Sequence, residues 1–121
     1  MGQLSLAAHL STALVADGGF SVDPRTGLSV PAGYAVAVHP EHGRILDGAV
    51  SHGDLRDFIA QVRNVLSVPG RILGGWRDPA TGRVHLDVSL VTAELPDALA
   101  IARTGGQLAV FDLAGARSCP V

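Results

Sequence analysis

Apolar and polar residues alternate without interruption from Arg83 to Leu90. The apolar members of this run are Val84, Leu86, Val88 and Leu90, and the polar members are Arg83, His85, Asp87 and Ser89. Because successive side chains of a β-strand point to opposite faces, the run predicts a strand that buries its apolar members in a core. The polar members are then expected in a row on the solvent side of the sheet, spaced by about 7 Å.

A turn with the sequence Asp-Pro-x-Thr-Gly occurs twice, at residues 23–27 and 78–82. Proline presets the first turn dihedral, aspartate accepts hydrogen bonds from the turn backbone, and glycine supplies a positive φ. Both segments are therefore predicted to be hairpin turns. The strands expected beside them are residues 20–22 and 28–30 for the first turn, and residues 72–77 and 83–91 for the second.

Residues 52–66 are predicted to form an amphipathic helix that ends before Pro69-Gly70. Ser51 is placed to cap its N-terminus, and Asp54 follows at the spacing of a capping box. One side of this helix is apolar, which indicates that it packs against a core. The apolar stripe consists of Leu55, Phe58, Ile59, Val62 and Leu66.

Two further helices are expected, at residues 4–16 and 95–104. The first has apolar residues at helical spacing and ends at Asp17-Gly18-Gly19. The second has Pro96 near its start and Gly105-Gly106 at its end, the usual asymmetry of helix termini. The apolar positions of the first helix are Leu4, Ala7, Leu10, Ala13 and Leu14.

Short strands are expected at residues 34–39, 44–46 and 107–113. In the first of these, alternation divides the residues into two faces. One face carries Tyr34, Val36 and Val38, and the other carries Ala35, Ala37 and His39. Because the second face is composed largely of small apolar residues, it predicts close packing by a helix.

These elements predict an α+β fold, with a mostly antiparallel sheet of roughly five to six strands and two to three helices on one face. The strand–helix–strand order over residues 83–113 favours a right-handed crossover and a parallel pairing of the last strand. With 121 residues, the chain fits one domain. We expect an N-terminal helix in residues 1–18, the α+β domain in residues 19–113 and a tail in residues 114–121.

Composition argues against several classes of function. The net charge is only −2 and the charges are spread along the chain, so neither nucleic acid nor an acidic membrane is expected as a partner. No apolar stretch reaches the roughly 18 residues of a membrane span. The single cysteine, Cys119, cannot form an internal disulfide, which suits a reducing cytoplasm. The glycine pairs match neither a Walker loop nor a dinucleotide fingerprint, so no cofactor is predicted.

The polar row is the first candidate site. Trp76 and Arg77 lie on the partner strand of the same hairpin. His85 beside Asp87 is the setting of a general base, and Ser89 follows on the same face. Arg77 or Arg83 can stabilise an anionic centre. The alternative explanation is a solvated sheet face, because alternation alone places polar residues there.

His39 and His42, with Glu41 between them, form the second candidate. Two histidines and a carboxylate can begin a metal site, and His52 is a candidate third ligand. However, zinc needs three or four convergent ligands, and exposed turns often contain such residues. We therefore predict no bound metal, and His39 and His42 are the candidate ligands if there is one.

Residues 73–89, with the sequence LGGWRDPATGRVHLDVS, precede a predicted helix and then QLAVFDL at 107–113. This arrangement resembles small uncharacterised accessory proteins of actinobacterial phages and conjugative elements. The resemblance covers residues 70–113 well and residues 19–66 loosely, and it does not include the N-terminal helix. It implies a mobile-element protein with a host-interaction or counter-defence role, and it carries over no catalytic residue.

Three functions are compatible with the sequence. The favoured one is a non-enzymatic module that binds another protein through Trp76, Arg77, Arg83 and His85, since tryptophan and arginine are frequent interface anchors. The alternative is a small enzyme, such as a nuclease or nucleotide-modifying domain, that uses the sheet-face row with Arg77. The third is a homodimer that pairs through an edge strand.

Overall fold

The computed structural model describes the backbone of residues 3–121 and the side chains of residues 6–39 and 41–121. Residues 1–2 of the predicted N-terminal segment and the side chain of Leu4 therefore lie outside the described residues. Within that range the helices are α1 (Gln3–Asp17), α2 (His52–Gln61), α3 (Arg63–Leu66) and α4 (Leu95–Thr104). The strands are β1 (Gly19–Val22), β2 (Tyr34–Val36), β3 (Arg44–Leu46), β4 (Arg71–Arg77), β5 (Val84–Thr92), β6 (Ala109–Asp112) and β7 (Arg117–Pro120).

All seven described strands form one sheet in which every pairing is antiparallel, so the predicted α+β class is confirmed. The order along the sheet is β1-β4-β5-β2-β6-β7. Strand β5 is the longest and organises the sheet. It pairs with β4 along one edge, while β3 and β2 share its other edge, β3 beside Val84–Leu86 and β2 beside Leu90–Thr92.

The parallel pairing expected for the last strand is not formed. Strand β6 runs in the same direction as β5, as a strand–helix–strand crossover requires, but β2 lies between them. Both neighbours of β2 are therefore antiparallel to it. The predicted direction of β6, parallel to β5, is therefore correct, but the predicted pairing of β6 with β5 is wrong. The reason is that β2, from a distant part of the chain, lies between them.

Over residues 3–121, the helices pack on one face of the sheet and leave the other uncovered. In the larger core cluster, α1 and α2 pack against Val84, Leu86 and Val88 of β5. In the smaller cluster, α4 packs against Val36 of β2 and Val110 of β6. Val36 is paired with Leu90, so both clusters lie on the same side of the sheet.

Helix α1 packs within the same core as the rest of the domain. Ala7, Leu10 and Leu14 are 0%, 1% and 3% exposed and contribute to the larger cluster. The helix contacts α2, β1 and β4, so its apolar face is covered internally. Among residues 3–121, no helix has both the length and the apolarity needed to cross a bilayer.

The helix predicted at 52–66 begins as expected and breaks near its end. Ser51 Oγ accepts from the Asp54 amide at 3.1 Å, and the Asp54 carboxylate accepts from the Ser51 amide at 3.0 Å, which completes the capping box. Such a cap contributes about 1 kcal/mol. The backbone departs from helical geometry at Val62, and α3 begins at the next residue. The predicted apolar stripe is nevertheless buried throughout.

Both Asp-Pro-x-Thr-Gly segments form the predicted turn with the same hydrogen bonds. In each, the aspartate accepts from the amide two residues later, at 2.8 Å in the first turn and 2.9 Å in the second. Gly27 and Gly82 adopt φ values of 72° and 74°. The first hairpin differs from the prediction beyond its turn. Its returning segment, residues 28–30, is joined to β1 by a single bridge, while β1 forms its ladder with β4.

Two expectations about the sheet are wrong. The face of Ala35 and Ala37 carries no helix among the described residues, because α4 packs on the opposite face with Val36. Residues 114–121, expected as a tail, include β7, which pairs with β6 over four positions. That segment lacks a clear alternating pattern, so its pairing depends on β6 offering a free edge.

Candidate functional site

The face of the sheet without helices forms a cavity of about 640 Å³, here called the sheet cavity. Residues of both edge strands, β1 and β7, line it, so the sheet curves toward this side. Glycine, alanine and serine make up much of the lining and leave space above the strands. These small residues are Gly19, Ser21, Ala35, Ala37, Gly74, Gly75, Ser89, Ala109, Ala116 and Ser118.

The alternation predicted for β5 is confirmed. Val84 and Leu86 are 0% and 1% exposed in the core. His85 and Asp87 are half-buried on the opposite face. Ser89 lies on that face as well, but it is only 6% exposed. The expectation that Ser89 is solvated is therefore wrong, because it lies on the floor of a concave surface.

Asp87 is the charged group on the floor of the sheet cavity. Its carboxylate lies against Gly74 of β4, where an added Cβ would be 2.5 Å from Oδ1. Ser89 Oγ donates to the same Oδ1 at 3.2 Å. Burial raises the pKa of Asp87, although the Ser89 hydrogen bond and the nearby His85 act in the opposite direction. The apolar surroundings therefore favour the protonated carboxyl relative to an aspartate in water.

Trp76 forms an aromatic wall of the sheet cavity and is supported by His85. The two residues are paired across β4 and β5, and their rings stack at 4.8 Å between centroids with an interplanar angle of 13°. Trp76 remains 47% exposed. His85 does not itself line the cavity. Its role in this arrangement is to hold the indole, and such stacking contributes about 1 kcal/mol.

The two arginines of the predicted site lie elsewhere. Arg77 is paired with Val84 and so belongs to the core-facing side of β4. Its guanidinium donates to the carbonyls of Gly48 and Gly82, at 3.0 and 2.7 Å. Arg83 Nε donates to Asp47 Oδ1 at 3.1 Å. The structure therefore groups Trp76, His85, Asp87 and Ser89, and it separates both arginines from them.

This arrangement lacks the connections of a catalytic relay among the described residues. The side-chain hydrogen bond of Asp87 comes from Ser89 and not from His85. His85 is engaged by the indole face of Trp76. A general base needs an orienting partner and a nearby electrophilic group, and the arginines that were candidates for the latter lie elsewhere. The described geometry is a concave sheet face with one acidic group, Asp87, on its floor.

His39, Glu41 and His42 do come together, in the turn before β3. Their candidate ligand atoms lie within 4.8 Å of one another, and His52, the predicted third ligand, is not in the group. A hydrogen bond to its own backbone lowers the pKa of Glu41, and the two histidines add to this effect. Arg71 Nε donates to His39 Nε2 at 3.2 Å. This guanidinium occupies one histidine nitrogen and adds positive charge, which opposes a metal cation.

Several cavity residues escaped sequence reasoning. Phe111 and Ser118 form the wall opposite Trp76, but Ser118 belongs to the segment expected as a tail. A usable signal was present in the small residues at alternate positions, Gly19 and Ser21 in β1 and Ala35 and Ala37 in and just after β2. Gly74 and Gly75 leave room for neighbouring side chains, because Asp87 lies against Gly74 and Phe20 lies against Gly75. The pairing continues through both glycines without a bulge.

The sheet cavity therefore combines a small-residue floor, a protected carboxyl and two aromatic walls. Together these features draw on β1, β2, β4, β5, β6 and β7, so the site depends on the whole sheet. No family model, curated protein or solved structure matches this chain.

Proposed function

We propose that this protein is a non-enzymatic protein-binding module that takes a segment of its partner into the sheet cavity. The observation that carries the proposal is an uncovered concave sheet face with two exposed aromatic residues, Trp76 at 47% and Phe111 at 38%. Connected apolar surface of this kind usually marks an interaction site. Tryptophan is among the residues most often found as an interface anchor, and His85 holds this one in place.

Charge complementarity favours a basic partner segment. The charged side chains that line the sheet cavity are Asp17 and Asp87, both acidic. A partner with basic and apolar side chains would satisfy both the acidic floor and the aromatic walls. A second copy docked on the same face is disfavoured, because two-fold symmetry would bring the two acidic floors together.

Binding explains the arrangement better than catalysis does. The small enzyme considered from the sequence needs Arg77 beside His85 and Asp87, but Arg77 instead bonds the Gly48 and Gly82 carbonyls. Asp87 has Ser89 as its hydrogen-bond donor, and His85 supports Trp76. Each polar group of the predicted row thus has a role in shaping the cavity.

The proposed setting is the cytoplasm of an actinobacterial host, with the protein encoded by a phage or another mobile element. The resemblance of residues 70–113 to accessory proteins of such elements supports this setting. A host-interaction or counter-defence role agrees with a module that captures another protein. The lone Cys119 agrees with a reducing compartment.

Partner capture by the wild type and by two alanine variants tests the proposal. Trp76→Ala removes the aromatic wall, and Leu108→Ala removes an apolar side chain that is 88% exposed and outside the sheet cavity. Tagged proteins are incubated with actinobacterial lysate, and captured proteins are quantified by mass spectrometry. We expect one partner whose capture falls at least about tenfold with Trp76→Ala and is unchanged with Leu108→Ala.

Thermal melting of each variant establishes that a loss of capture is not a loss of folding. Equal capture by all three proteins would contradict the proposal. So would recovery of this chain alone as the captured species, with a dimeric mass by light scattering that Trp76→Ala converts to a monomer. His85→Ala is not a suitable test for catalysis, because it also removes the support of Trp76.

A further inference from the structure

We infer that the sheet cavity holds a lysine or arginine side chain of the partner, with its cationic group at the Asp87 carboxylate. This inference rests on the proposed function and specifies the chemistry of the segment that is bound. The alkyl part of the side chain would lie along the small-residue floor, between Trp76 and Phe111. The sheet cavity is then a subsite for one basic residue within a larger contact.

The first argument is that no arginine forms an ion pair with Asp87 among the described residues, which leaves the imidazole of His85 as its one electrostatic neighbour. Oδ1 accepts one hydrogen bond, from the neutral hydroxyl of Ser89. The arginines of β4 and the one just before β5 are engaged elsewhere: Arg71 with His39, Arg77 with two backbone carbonyls, and Arg83 with Asp47. Buried charges are normally paired, so a carboxylate in an apolar cavity favours a cationic guest.

The second argument is the shape and chemistry of the space above Asp87. Gly74 gives the carboxylate room to lie flat against β4, since a Cβ there would be 2.5 Å from Oδ1. Ala35 of the neighbouring strand β2 and Ala37 just after it also have small side chains, which leaves space above the floor. The indole of Trp76 borders the same space, and an aromatic face attracts a cation within about 6 Å. A long side chain with a charged end fits such a space.

Protonation of Asp87 should oppose binding of a cation. Burial raises the pKa of this carboxyl, so acidification neutralises it before an ordinary aspartate. The other titratable groups close to this carboxyl or to the floor are His85, next to Asp87 on the same face of β5, and Asp17, which lines the cavity at the end of α1. The parts of β1, β2, β4, β6 and β7 that line the cavity add only uncharged side chains. Binding should therefore weaken as the pH falls through the titration of Asp87.

Small probes test the subsite without the partner. Nα-acetyl-lysine methylamide, Nα-acetyl-arginine methylamide and the neutral norleucine analogue are titrated separately into ¹⁵N-labelled protein at neutral pH and low salt. Saturable shifts of the Trp76 indole N–H and of the Gly74 and Ser89 amides report binding. We expect both basic probes to bind at least about tenfold more tightly than the norleucine analogue.

Asp87→Asn should reduce affinity for the basic probes at least about tenfold. The matched control is Asp57→Asn, which removes an exposed carboxylate on the helical side of the molecule and should leave affinity unchanged. If Asp87→Asn perturbs folding, the wild type titrated at decreasing pH tests the same carboxylate. Equal binding of the norleucine analogue, or unchanged affinity in Asp87→Asn with no dependence on pH in the wild type, would overturn the inference.

The subsite and the proposed function can fail separately. If Trp76→Ala abolishes partner capture but Asp87→Asn retains both capture and probe binding, the cavity binds a protein without a basic anchor, and only this inference fails. If the basic probes bind and depend on Asp87 but neither variant affects capture of any protein, the proposed function fails. The cavity would then be a site for small amines.

Discussion

At the scale of single residues, Asp87 is a destabilising element that the fold retains. Its carboxylate lies in apolar surroundings with one hydroxyl as its hydrogen-bond donor, and burial raises its pKa. Desolvation of a charge opposes folding unless a partner offsets it. Proteins frequently hold such groups at functional sites, where a ligand supplies the missing interaction.

The raised pKa of Asp87 predicts how the free energy of unfolding depends on pH. The folded protein binds this proton more tightly than the unfolded chain does, so the contribution of Asp87 to stability is largest below the unfolded pKa. It is lost as the pH rises through the raised folded pKa. The Asp87→Asn variant should lack this dependence. The free energy of unfolding of Asp87→Asn minus that of the wild type should therefore be larger at neutral pH than in acid.

Urea denaturation of both proteins at a series of pH values measures this difference. The Asp57→Asn variant serves again as the control, because its exposed carboxylate should give no comparable dependence. A constant stability difference between wild type and Asp87→Asn across the acidic range would mean that the carboxyl is not desolvated in the folded state.

At the scale of secondary structure elements, β4 is specialised on both of its faces by consecutive glycines. Gly74 faces the sheet cavity and accommodates the Asp87 carboxylate, whereas Gly75 faces the core and accommodates the Phe20 ring. The same strand carries Trp76 into the cavity and Arg77 toward the loops. Four adjacent residues thus serve the site and the core in strict alternation.

Alanine at the two glycines should have different consequences. A Cβ at Gly75 would lie 2.5 Å from the Phe20 ring, which packs against the core, so Gly75→Ala should cost about 1–3 kcal/mol of folding free energy. A Cβ at Gly74 meets the end of the Asp87 side chain, which can rotate away. Gly74→Ala should therefore be less destabilising but should weaken binding of the basic probes.

Chemical denaturation and probe titration of both variants measure the two effects. We expect Gly75→Ala to lose more stability and Gly74→Ala to lose more affinity for the probes. If Gly74→Ala binds the probes as well as the wild type does, the carboxylate does not need its place against β4.

At the scale of the whole molecule, one sheet separates a covered face from an uncovered one. The larger helix cluster packs on β1, β4 and β5, and the smaller cluster packs on β2 and β6. The sheet cavity extends across all of these strands and on to β7. Because β5 is paired with β4, β3 and β2, it joins the two clusters. Stability and the shape of the cavity are therefore coupled through the sheet.

Strand β7 should contribute to both properties. Cys119 packs against the smaller cluster, and Ser118 lines the sheet cavity. A chain ending at Ala116 should be less stable by about 1–3 kcal/mol, unfold in a single transition and bind the basic probes more weakly. Thermal melting and probe titration measure these effects, with the Leu108→Ala protein as a control. An unchanged melting temperature would show that β7 adds nothing to the fold.

The features predicted correctly from sequence depend on residues close together in the chain. Alternation identified the buried and unburied faces of β5, the capping box located the start of α2, and both Asp-Pro-x-Thr-Gly turns formed as expected. Helix α4 also has the expected bounds, from Leu95 to Thr104. Within the candidate site, the common orientation of His85, Asp87 and Ser89 follows from alternation alone.

By itself, the amino-acid sequence determined most of the helices and strands, the buried face of β5 and the chemistry of its opposite face, because period and turn geometry are local properties. Tertiary structure alone decided that β2 lies between β5 and β6, that β7 joins the sheet, and that Arg77 and Arg83 bond elsewhere. It also decided that helices leave the alanine face of β2 uncovered. These outcomes depend on which distant segments compete for a strand edge, a carbonyl or a sheet face, and local patterns do not encode that competition.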